Sequence, residues 1–316
     1  MPRWRDAALA AWRFGRQLDW RPIRQQAETP FRLALLGSGP LLARLTALCD
    51  QAILTVERDL EAPLGASPPD LVVLAPSSRD ELARGERRAQ HLDQQGLPTL
   101  LLVPPGLEPS LAGVTYLVAD PHDRALDLRL AGGLFEALPP ERQVAAGRAC
   151  AALRAPFARR LTQETALANA RFALVANLPA LLPGLGMAAG LGADLLVLTT
   201  NQIVLVYRQA ALWGASLDNP RALFAEIVPV VGGALLWRTA ARTLVSLVPA
   251  FAAVAPKVAV AYLGTYVVGE LARVYYAQGR RPSAAQVQAI EAEARRALAT
   301  VWERLRPALP VAGPAR

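Results

Sequence analysis

The pattern of apolar and polar positions changes character three times along the chain. Near the start, Trp4, Ala8, Ala11 and Trp12 recur at helical spacing and Arg3, Arg5, Arg13 and Arg16 crowd the rest. This predicts a basic amphipathic helix within residues 1–28, ended or kinked near Trp20 by Pro22. From Phe31 the pattern becomes short aliphatic runs. Arg32–Leu36, Ala52–Val56, Leu71–Ala75, Thr99–Val103 and Val114–Val118 are rich in Val and Leu and mostly bounded by Gly, Pro, Ser or Asp. They read as buried strands. Helical stretches, clearest at Leu41–Cys49 and Arg79–Gln95, alternate with them. The alternation predicts an α/β domain over residues 29–137, a Rossmann-like, mostly parallel sheet with helices on its faces. The Asp59–Pro69 connection holds Pro and Gly and no good helix.

Residues 138–278 read as a hydrophobic, all-α domain. Ala125–Ala170 is helical in pattern and is broken at Leu138-Pro139-Pro140. The charge-free run Phe172–Ala193 has 22 residues, close to the length that spans a bilayer core. Pro179 and Pro183 split it, so a second helix is expected from about Met187 to Trp213, ended by Gly214. Asn219-Pro220 reads as the N-cap and first residue of another helix, which contains Pro229 and Gly232-Gly233. Pro249 separates that helix from one reaching about Tyr276, with Pro256 inside. In residues 279–316, Ser283 and Gln286 fit a capping box. Val287, Ile290, Ala294, Ala297, Val301 and Leu305 then form an apolar stripe, expected to dock on the α/β domain or on a second copy.

Composition sharpens this into a location. The chain is 53% hydrophobic and 19% charged, with a net charge of +8. A basic balance beside an apolar middle points to an anionic membrane surface. No run of five consecutive basic residues and no aromatic ribonucleoprotein motif is present, so nucleic acid is not expected as a partner. Arg171 just before the first apolar run and Arg280-Arg281 after the last place both flanks on the cytoplasmic side of the inner membrane. The N-terminus lacks the apolar stretch of a secretory signal. Cys49 and Cys150 are far apart and in unlike contexts, and read as free thiols in a reducing compartment. His91 and His122 have no partners at zinc-like spacing, so no metal site is expected, and no cofactor.

Two sets of residues are candidates for function. Gly37-Ser38-Gly39, after the first strand and before a helix, occupies the place of a phosphate-binding loop, where glycines let backbone N–H groups face an anion. Counted from Gly37, however, the second glycine of a P-loop is Leu42 and its lysine is Ala43. The only lysine in the chain is Lys257. Without that charge near the phosphates, nucleotide hydrolysis is not expected and the loop reads as vestigial. The second set is polar groups of the apolar region: Asp194, Asn201, Gln202, Arg238, Arg242, Lys257 and Glu270. Charges at such positions should pair with one another, and Asp194 is expected to meet Arg238, Arg242 or Lys257. No catalytic constellation stands out.

Ala168-Asn169-Ala170, the Pro179…Pro183-Gly184 break, Ala193-Asp194, Leu198-Thr199-Thr200-Asn201-Gln202, Tyr207 and Gly214 resemble a membrane-associated helical domain, the domain of unknown function 697. Pro229-Val230-Val231-Gly232, Trp237-Arg238, Ala241-Arg242, Pro256-Lys257, Gly264-Thr265 and Val268-Gly269 look like its continuation. That domain often follows Era-like or Ras-like GTPases. Correspondingly, Asp70–Ala75 is similar to the strand after the second switch. Pro98–Val103 is similar to the strand leading to the base-reading motif, where Pro104-Pro105-Gly106 stands here. The resemblance implies a degenerate G-domain followed by a membrane-embedded helical domain. The expected role is a non-catalytic, membrane-associated interaction or scaffold protein. Its partners would be lipid and either an active GTPase or a second copy. The alternatives are a nucleotide-binding regulator without hydrolysis, a small transporter with a polar path from Asp194 through Lys257 to Glu270, and a soluble bundle burying the same helices.

Overall fold

The structure, a computed structural model, describes residues 19–176, 191–219, 222–223, 226 and 255–305, and side chains outside 191–196, 255–257 and 302–305. The chain forms two compact units: Trp20–Arg160 with Ala211–Gly214, and Leu161–Ala210 with Ala215–Arg316 and the N-terminal tail. The first unit therefore extends past residue 137, where the sequence pattern changes.

The first unit is built on five parallel strands in the order β2-β1-β3-β4-β5. They are β1 (Arg32–Gly37), β2 (Ile53–Glu57), β3 (Leu71–Ala75), β4 (Thr99–Val103) and β5 (Tyr116–Val118). Each lies within two residues of its expected start and end; β1, β3 and β4 are covered on both faces and so are aliphatic throughout, whereas β2 and β5, expected to be buried, are edge strands with exposed or half-buried residues. Ala34, Leu36, Val72, Leu74, Leu101 and Val103 line one face, packed with Leu82, Ala89 and Leu92 of α3 (Arg79–Gln94). The intervening Leu33, Leu35, Leu71, Val73, Leu100 and Leu102 are also buried and point the other way. β1 to β2 and β3 to β4 step in opposite directions, so right-handed crossovers put α2 (Pro40–Leu48) and α3 on opposite faces. As its composition predicts, the β2–β3 connection has no helix. Its Leu60 and Ala62 nonetheless join the core on the α3 face, and Arg88 Nη2 donates to the Ala62 carbonyl at 3.2 Å.

Helices α4 (Leu126–Ala137) and α5 (Pro140–Ala149) meet at the expected proline break. A short 3-10 turn, Ala151–Leu153, leads from α5 into α6 (Arg154–Ala176). Arg142 of α5 makes a two-pronged contact to Asp70 (2.8 and 2.7 Å) and also donates to the Pro30 carbonyl. Asp70 accepts in addition from the Arg32 N–H, so the amino ends of β1 and β3 share one largely buried ion pair. Pro22 lies in the first turn of α1 (Arg21–Glu28), whose N-cap is Trp20 and where its missing N–H costs nothing. The amphipathic segment before it lies outside the described residues.

The second unit holds the remainder of α6, then α7 (Leu191–Leu212), α8 (Ala255–Gln278) and α9 (Ala284–Leu305). Gly214 has φ 83° and its N–H bonds the Ala211 carbonyl, while Ala215 N–H bonds that of Ala210. This is the glycine termination the sequence predicts. The Asn219 carboxamide accepts from Ala222 N–H, as an N-cap should. The Ser283–Gln286 capping box closes in both directions, at 2.9 and 3.3 Å.

Two expectations for this unit are corrected. Pro256 falls in the first turn of α8, not in a helix interior. And the apolar stripe of α9 is used within its own unit: Ile290, Ala294 and Leu298 pack with Tyr262, Tyr266 and Leu271 of α8. Tyr266 Oη adds a hydrogen bond to Glu293 at 3.1 Å. Among the described residues no helix is long and apolar enough to cross a membrane. Glu270 and Arg273 interrupt α8, and Thr199 through Gln202 with Arg208 and Gln209 interrupt α7. The embedding expected for this region is therefore not supported by its described helices. The Pro179–Gly184 break and the segment with Pro229, Gly232-Gly233 and Pro249 lie outside them.

Candidate functional site

In a sheet of this order, ligands bind beyond the strand carboxyl ends where the order reverses, here between β1 and β3. Gly37-Ser38-Gly39 sits at that point. Gly37 has φ 115°, and a Cβ there would lie 2.3 Å from the Ala75 carbonyl oxygen. The glycine is thus explained by close passage of β1 beside β3. Ser38 N–H turns back to the Ala75 carbonyl at 3.4 Å, and Pro40 opens α2 with no N–H at all. Two donors that a phosphate cradle would use are therefore not offered.

The neighbouring space is filled. Leu60 is 2% exposed. Its methyl carbons lie 3.2 and 3.9 Å from where a Cβ would stand on Gly37 and on Gly85 of α3. The loop after β3 adds charge of the wrong sign for an anion. Ser77 donates N–H and Oγ–H to Glu81, both at 2.7 Å, which holds that carboxyl below its ordinary range. Beyond β4, where the resemblance puts base recognition, a buried carboxylate faces the protein's own chain: Glu86 accepts from the N–H groups of Ser110 and Leu111 and from the Ser110 hydroxyl. No arginine is placed on the Gly37 loop by any described contact.

The second place of interest is a layer of neutral polar side chains among α6, α7 and α8. Asn169 (α6) and Thr265 (α8) are fully buried and bonded, Nδ2 to Oγ1, at 2.8 Å. Asn201 (α7) donates to Asn169 Oδ1 at 2.6 Å, and Gln202 donates to Thr265 Oγ1 at 3.2 Å. Thr265 passes its own proton to the Ala261 carbonyl at 2.7 Å. Its hydroxyl thus accepts twice and donates once, its full capacity. Further along, Gln209 (α7) donates to Thr162 (α6) at 3.1 Å. Gly269 of α8 lies against them so closely that a Cβ would stand 2.5 Å from Thr162 Oγ1 and 2.8 Å from Leu205 Cδ2.

The predicted polar residues therefore divide. Asn201 and Gln202 belong to this layer. Glu270 is buried and pairs with Arg273 on its own helix at 2.8 Å. Asp194 lies in α7 and Lys257 in the first turn of α8, with side chains outside the description. Arg238 and Arg242 lie outside it altogether, and with them the expected Asp194 pairing. Thr162, Gln209 and Arg273 were not singled out by the sequence. Helical spacing marks which face a residue occupies, but not which polar residue on another helix it meets. Among the described residues no group of three metal-ligating side chains occurs.

Comparison with known proteins gives no matching family model, and no curated protein matches the chain.

Proposed function

We propose that this chain is a non-catalytic interaction protein held at the cytoplasmic face of the inner membrane. Its α/β unit is a vestigial, G-domain-like platform, and its helical unit is related to the domain of unknown function 697. The observation that carries this reading is Leu60, buried between Gly37 and Gly85 at the crevice where a doubly wound sheet would receive its ligand. A leucine in that space, a loop N–H turned inward and the absence of a loop lysine all remove nucleotide affinity together.

The helical unit supports the same reading. Asn169, Asn201, Gln202 and Thr265, four of the residues on which the family resemblance rests, are bonded to each other. None of them titrates, so this layer is no proton path. Membrane association rests on charge: residues 20–160 hold sixteen arginines and sixteen carboxylates, and the net +8 lies wholly in the remainder. That remainder is drawn to anionic lipid, and it is the surface on which a GTPase or a second copy would meet this chain at the membrane.

Flotation with vesicles tests the location. The full chain should rise with vesicles containing phosphatidylglycerol and not with pure phosphatidylcholine. A chain that stays monodisperse in detergent-free buffer and rises with neither refutes it. Thermal shift with GTP, GDP and ATP tests the α/β unit separately. Flat curves are expected, and a raised midpoint with any of the three overturns the vestigial reading.

A further inference from the structure

The only two cysteines of the chain, 101 positions apart, are neighbours in the fold. α2 ends at Leu48 and α5 at Ala149, so Cys49 and Cys150 are the C-cap residues of two different helices. Just beside them, Gln51 N–H donates to the Ala149 carbonyl at 3.1 Å and laces the two segments together. Both side chains are buried, at 0% and 1% exposure, both are free thiols, and Cys49 is the neighbour that acts most strongly on the Cys150 thiol. The sequence reading of two unrelated thiols is corrected in this respect: they are free, but they are a pair.

We propose that Cys49 and Cys150 form an oxidisable dithiol whose disulfide staples the end of α2 to the end of α5. A disulfide needs Cα atoms roughly 4.4–6.8 Å apart. The Gln51–Ala149 backbone hydrogen bond, at 3.1 Å, holds the two segments that carry the thiols side by side. The staple closes a loop containing β2, β3, β4 and β5, so it restrains the unfolded chain over most of the α/β unit.

The oxidant is a small disulfide such as oxidised glutathione. One cysteine thiolate attacks a sulfur of that disulfide, its S–S bond breaks, and one small thiol leaves with a proton from solvent. The second cysteine attacks the mixed disulfide and expels the second small thiol. Two protein thiols lose two hydrogens and one small disulfide becomes two thiols. In the closed fold this is slow. Contact with Cys49, then burial, push the Cys150 thiol far above its ordinary range, so it stays protonated until the helix ends open. The pair therefore ignores a passing oxidant and responds to oxidising conditions that outlast local opening.

The test uses the full chain, incubated with oxidised glutathione or with dithiothreitol at a urea concentration just below its unfolding transition. Thiols are then counted in full denaturant, and intact and peptide masses are measured. The reduced protein should show two thiols. The oxidised protein should show none, lose the mass of two hydrogens, yield one peptide pair joining Cys49 to Cys150, and melt several degrees higher until reductant is added. Two surviving thiols, glutathione adducts in place of the bridge, or a bridge between chains would each overturn the proposal. So would an oxidation-dependent rise in melting temperature that persists in Cys150→Ala.

Discussion

The two units solve the problem of a buried interior by different means. In the α/β unit the sheet interior is aliphatic: Leu33 to Leu36, Leu71 to Ala75 and Leu100 to Val103 are all at most 3% exposed and carry no side-chain polar atom. Its ionic groups are balanced in number and, apart from the buried Glu86 of α3, lie at the ends of strands, as in Arg142–Asp70, or on the surface, as in Arg44–Asp127. The helical unit buries Thr162, Asn169, Gln209 and Thr265 at 0% exposure and Glu270 at 1%. A dry aliphatic layer tolerates small slips among similar shapes. A layer of amides and hydroxyls does not, because a slip strands a donor in low dielectric. The sheet is specified by volume and the helices by pairing. The same contrast accounts for the weaker apolar signal of α7 and α8, whose polar residues are spent on one another and not on solvent.

The largest effect should come from the dry side. Leu74→Ala removes a fully buried side chain from the centre of the sheet and should cost about 4 kcal/mol. Native-state hydrogen exchange should locate the loss in β1, β3 and β4 and leave α8 amides protected. Equal loss of protection in α8 would mean that the two units unfold as one and that the contrast has no thermodynamic content.

Next is the closest approach in the helical unit. Gly269→Ala places a methyl 2.5 Å from Thr162 Oγ1 and should cost about 2 kcal/mol through overpacking. Thr162→Ala should recover part of that in the double variant, while losing the Gln209 bond. A double-mutant cycle with no coupling would show that Gly269 does not press on Thr162.

Somewhat smaller is Asn169→Ala, about 2 kcal/mol at most, from the buried Asn201 and Thr265 partners it leaves short of a bond. Asn201→Ala removes a side chain at the margin of the layer and should cost about 1 kcal/mol. Urea unfolding followed on the helical unit checks both. The reverse order would mean that Asn201, and not Asn169, is the centre of the layer.

How far these features could be read in advance follows from the same contrast. β1, β3 and β4 were legible because strands covered on both faces have no choice but Val and Leu. β5 came out shorter than expected, Tyr116–Val118, because an edge strand needs no such uniformity and its Tyr116 is exposed. The α9 capping box was legible because its two residues stand three apart. Asn169 and Thr265 stand 96 apart, and nothing in local spacing pairs them. Leu60 was equally hidden: one leucine in a helix-free connection has no period, yet it packs against Gly37 and Gly85, the contact on which the functional reading rests. Cys49 and Cys150 belong with these, being brought near each other only by the chain segments that end α2 and α5.

The mildest way to separate the units is alkali. Tyr266 is pushed above the ordinary tyrosine range by burial, then by Glu270 and Glu293, and Tyr276 by burial, then by Glu226 and Tyr275. Both phenols belong to the helical unit. Below about pH 10 they are neutral folded and unfolded alike, so they leave stability unchanged. Above it the unfolded chain releases protons that the folded chain keeps, so stability must fall as pH rises. Solvent screening keeps the loss under about 1 kcal/mol per group near pH 11. The urea midpoint of the helical unit should therefore drop between pH 9 and 11, and the drop should shrink in Tyr266→Phe. Tyr276→Phe should shrink it too, and without penalty at neutral pH, because the buried Tyr276 hydroxyl has no hydrogen-bond partner among the described residues. An unchanged midpoint in wild type across that range would mean that the two phenols titrate from the folded state as they do from the open chain, and that the interior around α8 is wetter than its contacts imply.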